Sequence, residues 1–137
     1  MSRRHFTLYE LINSNKAKEL GINNVPNFSQ VALLALFVDE CLEHVRALAG
    51  RPVYITSGYR CEKLNKAIGG VATSYHTLRN GHCAVDISLG NPALNLPFYN
   101  MLKGSDLPIN ECFLGRGAVY IHISWHPYIR KREVGIL

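Results

Sequence analysis

The sequence predicts a small α+β domain in which helices pack against a short antiparallel sheet. Three observations carry this. Apolar residues recur at three- and four-residue steps from Val31 to Ala49. Several short stretches are β-branched or aromatic and bounded by Gly, Pro or Asn. The 137 residues are 47% hydrophobic, with no internal repeat and no long linker, which suits one domain spanning 1–137.

The elements follow in order. Thr7 to Leu11 begins a short helical turn, and Asn15 to Asn24 forms another, closed by Gly21 before a loop ending at Pro26. Val31, Leu34, Ala35, Val38, Cys41, Leu42, Val45, Leu48 and Ala49 line one face of a longer helix. Asn27 or Ser29 can cap its start, and Gly50 ends it. Pro52 to Thr56 reads as a strand. Ser57-Gly58 then turns into a short helix, Cys61 to Ile68, stopped by Gly69-Gly70. Cys83 to Ile87 is a second strand. Asn91-Pro92 opens a helix as a cap followed by Pro at its first position. Pro97 breaks or restarts that helix, and Gly104 closes it. Glu111 to Leu114 and Ala118 to Ser124 read as a hairpin across Gly115-Arg116-Gly117.

Composition excludes several classes. The longest apolar run, Val31 to Val38, has eight residues, whereas a membrane-spanning helix needs about 20. Fifteen Lys and Arg against ten Asp and Glu give a net charge of +5, which favours anionic partners. The basic residues cluster only at Arg3-Arg4 and Arg130-Lys131-Arg132, which read as solvated tails rather than a nucleic-acid stripe. Cys41, Cys61, Cys83 and Cys112 form no C-x-x-C pair and, each beside apolar or helical positions, read as buried free thiols. Met1 to Thr7 has no apolar stretch of the kind a signal peptide carries.

Three polar residues stand on or beside apolar strands. Asp86 lies within Ala84-Val85-Asp86-Ile87, His122 within Ile121-His122-Ile123-Ser124, and His76 within Thr73-Ser74-Tyr75-His76. A buried carboxylate has to be paired, hydrogen-bonded or metal-bound. Two histidines and one carboxylate are a common open zinc set. Two structural histidines beside a satisfied aspartate are the competing reading of these residues.

The motifs Thr56-Ser57-Gly58-Tyr59-Arg60, Leu64-Asn65, Gly69-Gly70, Ser74-x-His76, Ala84-Val85-Asp86-Ile87 and Ile121-His122-Ile123-Ser124 occur in this order. Together they resemble the zinc D-Ala-D-Ala peptidases of the M15 class, in its short single-domain bacterial and phage branch. Phe6-Thr7-x-x-Glu10 and Gly21-Ile22-x-Asn24-x-Pro26 extend the similarity over almost the whole chain. The resemblance implies an M15/Hedgehog-like peptidase fold with one zinc ion at the sheet. It implies His76, Asp86 and His122 as the metal ligands and Arg60 as the arginine that holds substrate. A planar guanidinium suits that work, since it can bind a carboxylate or stabilise an oxyanion. Tyr59 and Ser74 are candidates for shaping the substrate site.

Two features depart from the family's pattern. In the motif Ser-x-His-x-x-Gly-x-Ala-x-Asp the ligand loop is three residues shorter, whereas here Asp86 follows His76 by ten positions. The segment Thr77 to Gly81 carries the insertion, and it makes His82 a rival to His76. Second, several relatives place an acid three residues before the last histidine, where this chain has Val119. Glu111 is then the nearest candidate for the general base, with Asp106 and His126 as alternatives.

The expected activity is that of a zinc metallopeptidase acting on peptidoglycan stem peptides next to a D-amino acid, as a carboxypeptidase or an endopeptidase. A zinc-stabilised wall-binding module with little or no hydrolysis is the alternative. Further expectations are a monomer with no nucleic-acid partner. With no visible signal peptide, the chain would reach the wall after lysis or by another export route.

Overall fold

The computed structural model describes residues 4–137. Arg3, one of the Arg3-Arg4 pair, lies outside the described residues, and Arg4 pairs with Asp39 at 2.9 Å. Two short helices open the fold: α1 (Leu8–Ile12) and α2 (Asn15–Leu20). Thr7 and Glu10 form a reciprocal capping box on α1, and Gly21 closes α2 in the left-handed conformation.

The long apolar segment folds as α3 (Phe28–Phe37), a π-helical turn over Val38–Leu42, and α4 (Glu43–Ala49). Asn27 is the cap: its side chain accepts from Gln30 N–H at 2.9 Å. Leu34, Phe37, Cys41, Leu42 and Val45 are buried along this rod. Strand β1 (Tyr54–Ser57), helix α5 (Glu62–Ala67) and strand β2 (Cys83–Ser88) follow, then α6 (Pro92–Lys103), β3 (Glu111–Leu114), β4 (Ile121–Trp125) and β5 (Glu133–Ile136).

The sheet order is β1-β2-β4-β3-β5. Strand alternation divides its residues between two faces. Cys83, Val85, Ile87, Cys112, Leu114, Ile121, Ile123 and Trp125 belong to the hydrophobic core, where the Trp125 ring stacks on Phe37. Asp86 pairs with His122 across β2 and β4, and Phe113 pairs with His122 across β3 and β4. Glu111, two residues before Phe113, shares their face. One register therefore packs the core on one side and gathers polar side chains on the other.

Four expectations need correction. The sheet is mixed, because β5 pairs in parallel with β3. Asn110 sets up this strand, its side chain donating to the carbonyls of Ile129 and Lys131 at 2.8 and 2.9 Å. The basic tail is only partly solvated: the Arg132 guanidinium donates to the carbonyls of Ile109, Lys103, Ser105 and Leu107. Helix α6 runs through Pro97 without a break. Both Pro97 and Ala93 are exposed, so water can serve the carbonyl that a proline N–H leaves free. Last, the predicted strand from Ala118 begins only at Ile121. A 3-10 turn over Arg116–Ala118 comes first, with Gly117 and Ala118 at positive φ.

All four cysteines are free thiols, but only Cys41, Cys83 and Cys112 are buried as expected; Cys61 is half-buried because it caps α5, its sulfur accepting from Leu64 N–H. Among the described residues no helix is long and apolar enough to cross a membrane.

Candidate metal centre

Each side chain at this centre is aimed by a separate local device. Strand β1 carries a bulge: Ile55 pairs with Ile87, but Ser57 pairs with Asp86. The chain then passes so close to α1 that a Cβ on Gly58 would lie 2.1 Å from the Leu11 carbonyl oxygen. Only glycine fits this approach, and the next residue, Tyr59, donates its N–H to that same oxygen at 2.6 Å. The Gly58 carbonyl is 2.8 Å from His76 Nδ1. A carbonyl only accepts, so Nδ1 carries a proton there, and Nε2 is the ring nitrogen turned to the cluster, the one that would offer its lone pair to a metal.

His76 Nε2 lies 3.3 Å from Asp86 Oδ1, and His122 Nδ1 lies 2.9 Å from the same oxygen. The ligand atoms of His76, Asp86 and His122 fall within 4.8 Å of one another, the one such group among the described residues. His76 is buried and the other two are half-buried. The donor chemistry fits a cation. One acceptor-only carboxylate oxygen faces two imidazole nitrogens, and three donors leave room for further ligands. His122 Nε2, on the opposite edge of its ring, is 2.9 Å from Glu111 Oε1.

Electrostatics follow the contacts. Burial pushes the Asp86 carboxyl up, but hydrogen bonds from His122 and His76 prevail and hold it well below the usual carboxylate range. Burial likewise raises Glu111, and the hydrogen bond and charge of His122 outweigh it and bring the group down. For His122, burial lowers the value while hydrogen bonds to Asp86 and Glu111 raise it to about 9. Without a cation, a protonated His122 bridges the two carboxylates.

Arg60 reaches this region from the end of β1. Its backbone N–H donates to the His76 carbonyl at 2.9 Å, Nη1 donates to Asn65 Oδ1 at 3.1 Å, and Nη2 lies 3.4 Å from Ser57 Oγ. Asn65 is buried and held in turn by its donation to the Val71 carbonyl at 2.8 Å. A Cβ on Gly70 would meet Asn65 Oδ1 at 2.1 Å, which gives this glycine its reason. Buried Asn24 ties the same segment to α1, donating to the carbonyls of Ile12 and Tyr59 and accepting from Cys61 N–H.

The remaining candidates are placed as follows. Tyr59 is buried in the core with its hydroxyl 3.5 Å from Gln30, at the edge of a groove of about 510 Å³ that Arg60 also lines. Ser74 accepts from His76 N–H at 3.2 Å and lines a cleft of about 390 Å³ with Arg79, Glu111 and His122. The insertion coils into two 3-10 turns and leaves His76 in the cluster. His82 stands outside the cluster, its ring stacked on Tyr75 at 3.9 Å. His126 packs against His82 and accepts from Tyr128 N–H, and Asp106 is exposed in the loop after α6. Val119 is exposed at the turn before β4. Asn24 and Asn65 stand in quoted motifs, but the sequence alone assigns neither a role. For Asn65 the available signal was an asparagine inside a short helix beside Leu64; Asn24, in a loop next to Asn23, carries no such signal.

Two imidazoles and a carboxylate on an α+β frame, with an arginine fixed alongside, make a group that could hold a metal ion, the kind of donor set a metal-dependent hydrolase uses. The Peptidase M15 family model matches residues 4–124, and the chain belongs to that family of metal-dependent peptidases. No curated protein matches the chain.

Proposed function

We propose that the protein is a zinc peptidase that cleaves peptidoglycan stem peptides at an amide next to a D-amino acid. The observation that carries this reading is the convergence of His76, Asp86 and His122 beside a tethered Arg60. Two nitrogens and one carboxylate oxygen suit zinc in an open catalytic site. When bound, zinc polarises an amide carbonyl and makes water a better nucleophile at neutral pH.

The chain's own residues do the rest. His76, oriented by the Gly58 carbonyl, Asp86, fixed by pairing on both sides of β2, and His122 opposite it would hold the ion. Arg60, held by Asn65 and Ser57, offers its fork to a substrate carboxylate or to the oxygen that gains charge during attack. The net charge of +5 favours an anionic wall polymer. A peptide ending in a free carboxylate and an internal amide both suit an arginine beside the metal, so carboxypeptidase and endopeptidase action are two forms of one proposal.

A second reading, a zinc-stabilised wall-binding module with little hydrolysis, draws on the exposed Val119 and on the engagement of Glu111 with His122. The deciding experiment measures zinc content and turnover of a peptide ending in D-Ala-D-Ala alongside its internal-amide counterpart. Stoichiometric zinc and chelator-sensitive cleavage are expected, with zinc lost in His122→Ala and kept in His82→Ala. Zinc binding without cleavage of either peptide selects the binding module. Zinc retained in His122→Ala refutes both readings.

A further inference from the structure

We propose that Glu111 is a positioning residue for His122: it holds the ring so that Nδ1 faces the cation site and Nε2 keeps the proton. The inference rests on the metal-centre reading above and changes the role the sequence suggested for Glu111, that of general base.

An imidazole has two nitrogens on opposite edges, and only one can meet a given cation. Here Nδ1 points to Asp86 Oδ1 at 2.9 Å, the same oxygen that His76 Nε2 approaches at 3.3 Å. Nδ1 is therefore the edge inside the cluster. Nε2 points away from it, to Glu111 Oε1 at 2.9 Å. A neutral ring carries one proton. A carboxylate on the Nε2 edge stabilises the tautomer with the proton there, which leaves Nδ1 free to ligate. The Phe113 ring, nearly parallel to His122 at 12° with centroids 5.9 Å apart, restrains the plane of the imidazole. Glu111 is itself fixed, its backbone N–H donating to Ser124 Oγ at 3.0 Å.

The arrangement parallels that of His76, where a backbone carbonyl plays the same part on Nδ1. Each histidine of the cluster thus has one outer acceptor. A general base needs its carboxylate turned to the water it deprotonates. Oε1 of Glu111 is instead committed to the ring edge opposite the cluster.

The experiment compares Glu111→Gln and Glu111→Ala in the full chain. Zinc affinity is measured by competition with a chromophoric chelator, and the Nε2 proton of His122 is followed by nitrogen-edited NMR in the zinc-loaded protein. Peptide turnover is measured at saturating zinc. Glutamine keeps an oxygen acceptor, so Glu111→Gln is expected to weaken zinc binding less than about tenfold and to keep the Nε2 proton signal. Glu111→Ala is expected to weaken zinc binding about 10- to 100-fold and lose that signal, with excess zinc restoring turnover. Zinc affinity unchanged in both variants overturns the proposal. So does loss of turnover by more than about 100-fold in Glu111→Gln at full zinc occupancy, the mark of a general base. Should Glu111→Ala not fold, the near-isosteric Glu111→Gln still decides between the two roles through its turnover and its proton signal. If the unaltered chain binds no zinc, the metal-centre reading fails first, and that result is distinct from either outcome at Glu111.

Discussion

Replacing Gly58 by alanine tests whether the close approach of β1 to α1 sets the metal centre. The added Cβ would sit 2.1 Å from the Leu11 carbonyl oxygen, while ordinary contact begins near 3.4 Å, so the two backbones must part by more than about 1 Å. That movement breaks the bond from Tyr59 N–H to Leu11 O, worth about 1 kcal/mol. Forcing a methyl into a packed contact adds about 1–3 kcal/mol. The expected loss of stability is about 2–4 kcal/mol, read from the urea midpoint at constant slope. The Gly58 carbonyl shifts with its residue and leaves His76 Nδ1 without its acceptor, so zinc affinity is expected to fall about 10- to 100-fold. Competition with a chromophoric chelator measures that fall. A Gly58→Ala protein with affinity within twofold and stability within about 0.5 kcal/mol of the parent would refute the link between this contact and the ligand.

Two further outcomes concern the arginine and the charge balance. Asn65→Ala removes the acceptor of Arg60 Nη1, and Gly70→Ala displaces the same side chain; each is expected to lower kcat/KM about tenfold while zinc content stays stoichiometric. Parallel loss of zinc in both would show that Asn65 supports the ligands rather than the guanidinium. In chelator-treated protein, His122 is raised from 6.5 to about 9, so its protonated form stabilises the fold fully below about pH 6.5 and the contribution disappears as pH rises through about 9. Asp86 is lowered, so its contribution is present above about pH 4 and is lost as pH falls through its folded value. Urea stability of the metal-free protein should peak between these limits and drop by up to about 3 kcal/mol on going to pH 10. Zinc takes the place of the ring proton, so the loaded protein should lack that alkaline loss, and equal alkaline losses in the two forms would refute the assignment.

Local patterns were readable from the chain because they depend on near neighbours. The three- and four-residue apolar steps mark α3 and α4, and the β-branched runs mark β1 and β2. Asp86 stood out because a carboxylate between Val85 and Ile87 needs a partner. What escaped depends on pairing at a distance. Strand β5 has only four residues, three of them exposed, and it is held where Asn110 fixes the approach of the tail from Ile129 to Lys131. Arg132 looks like one charge among three until the carbonyls after α6 converge on it. The tether of Glu111 to His122 needs the register of β3 on β4, which no spacing along the chain displays.

That register also explains why an insertion between His76 and Asp86 leaves the cluster together. Asp86 is set by pairing with Ser57 on one side and His122 on the other, so its place is independent of the loop before it. His76 is held from outside the loop as well, by the Gly58 carbonyl on its ring and by Arg60 N–H on its own carbonyl. Extra residues between these anchors only need to close on themselves. They do so through the Tyr75–His82 stack across the two ends and through Leu78, which enters the core. Leu78 and Asn80 both take left-handed backbone conformations, a local strain of about 1–3 kcal/mol each that such anchoring can hold. The geometry of the cluster therefore rests on two strand pairings and the two contacts to His76 rather than on loop length. Arg79, carried on the inserted segment, lines the cleft beside Ser74, Glu111 and His122.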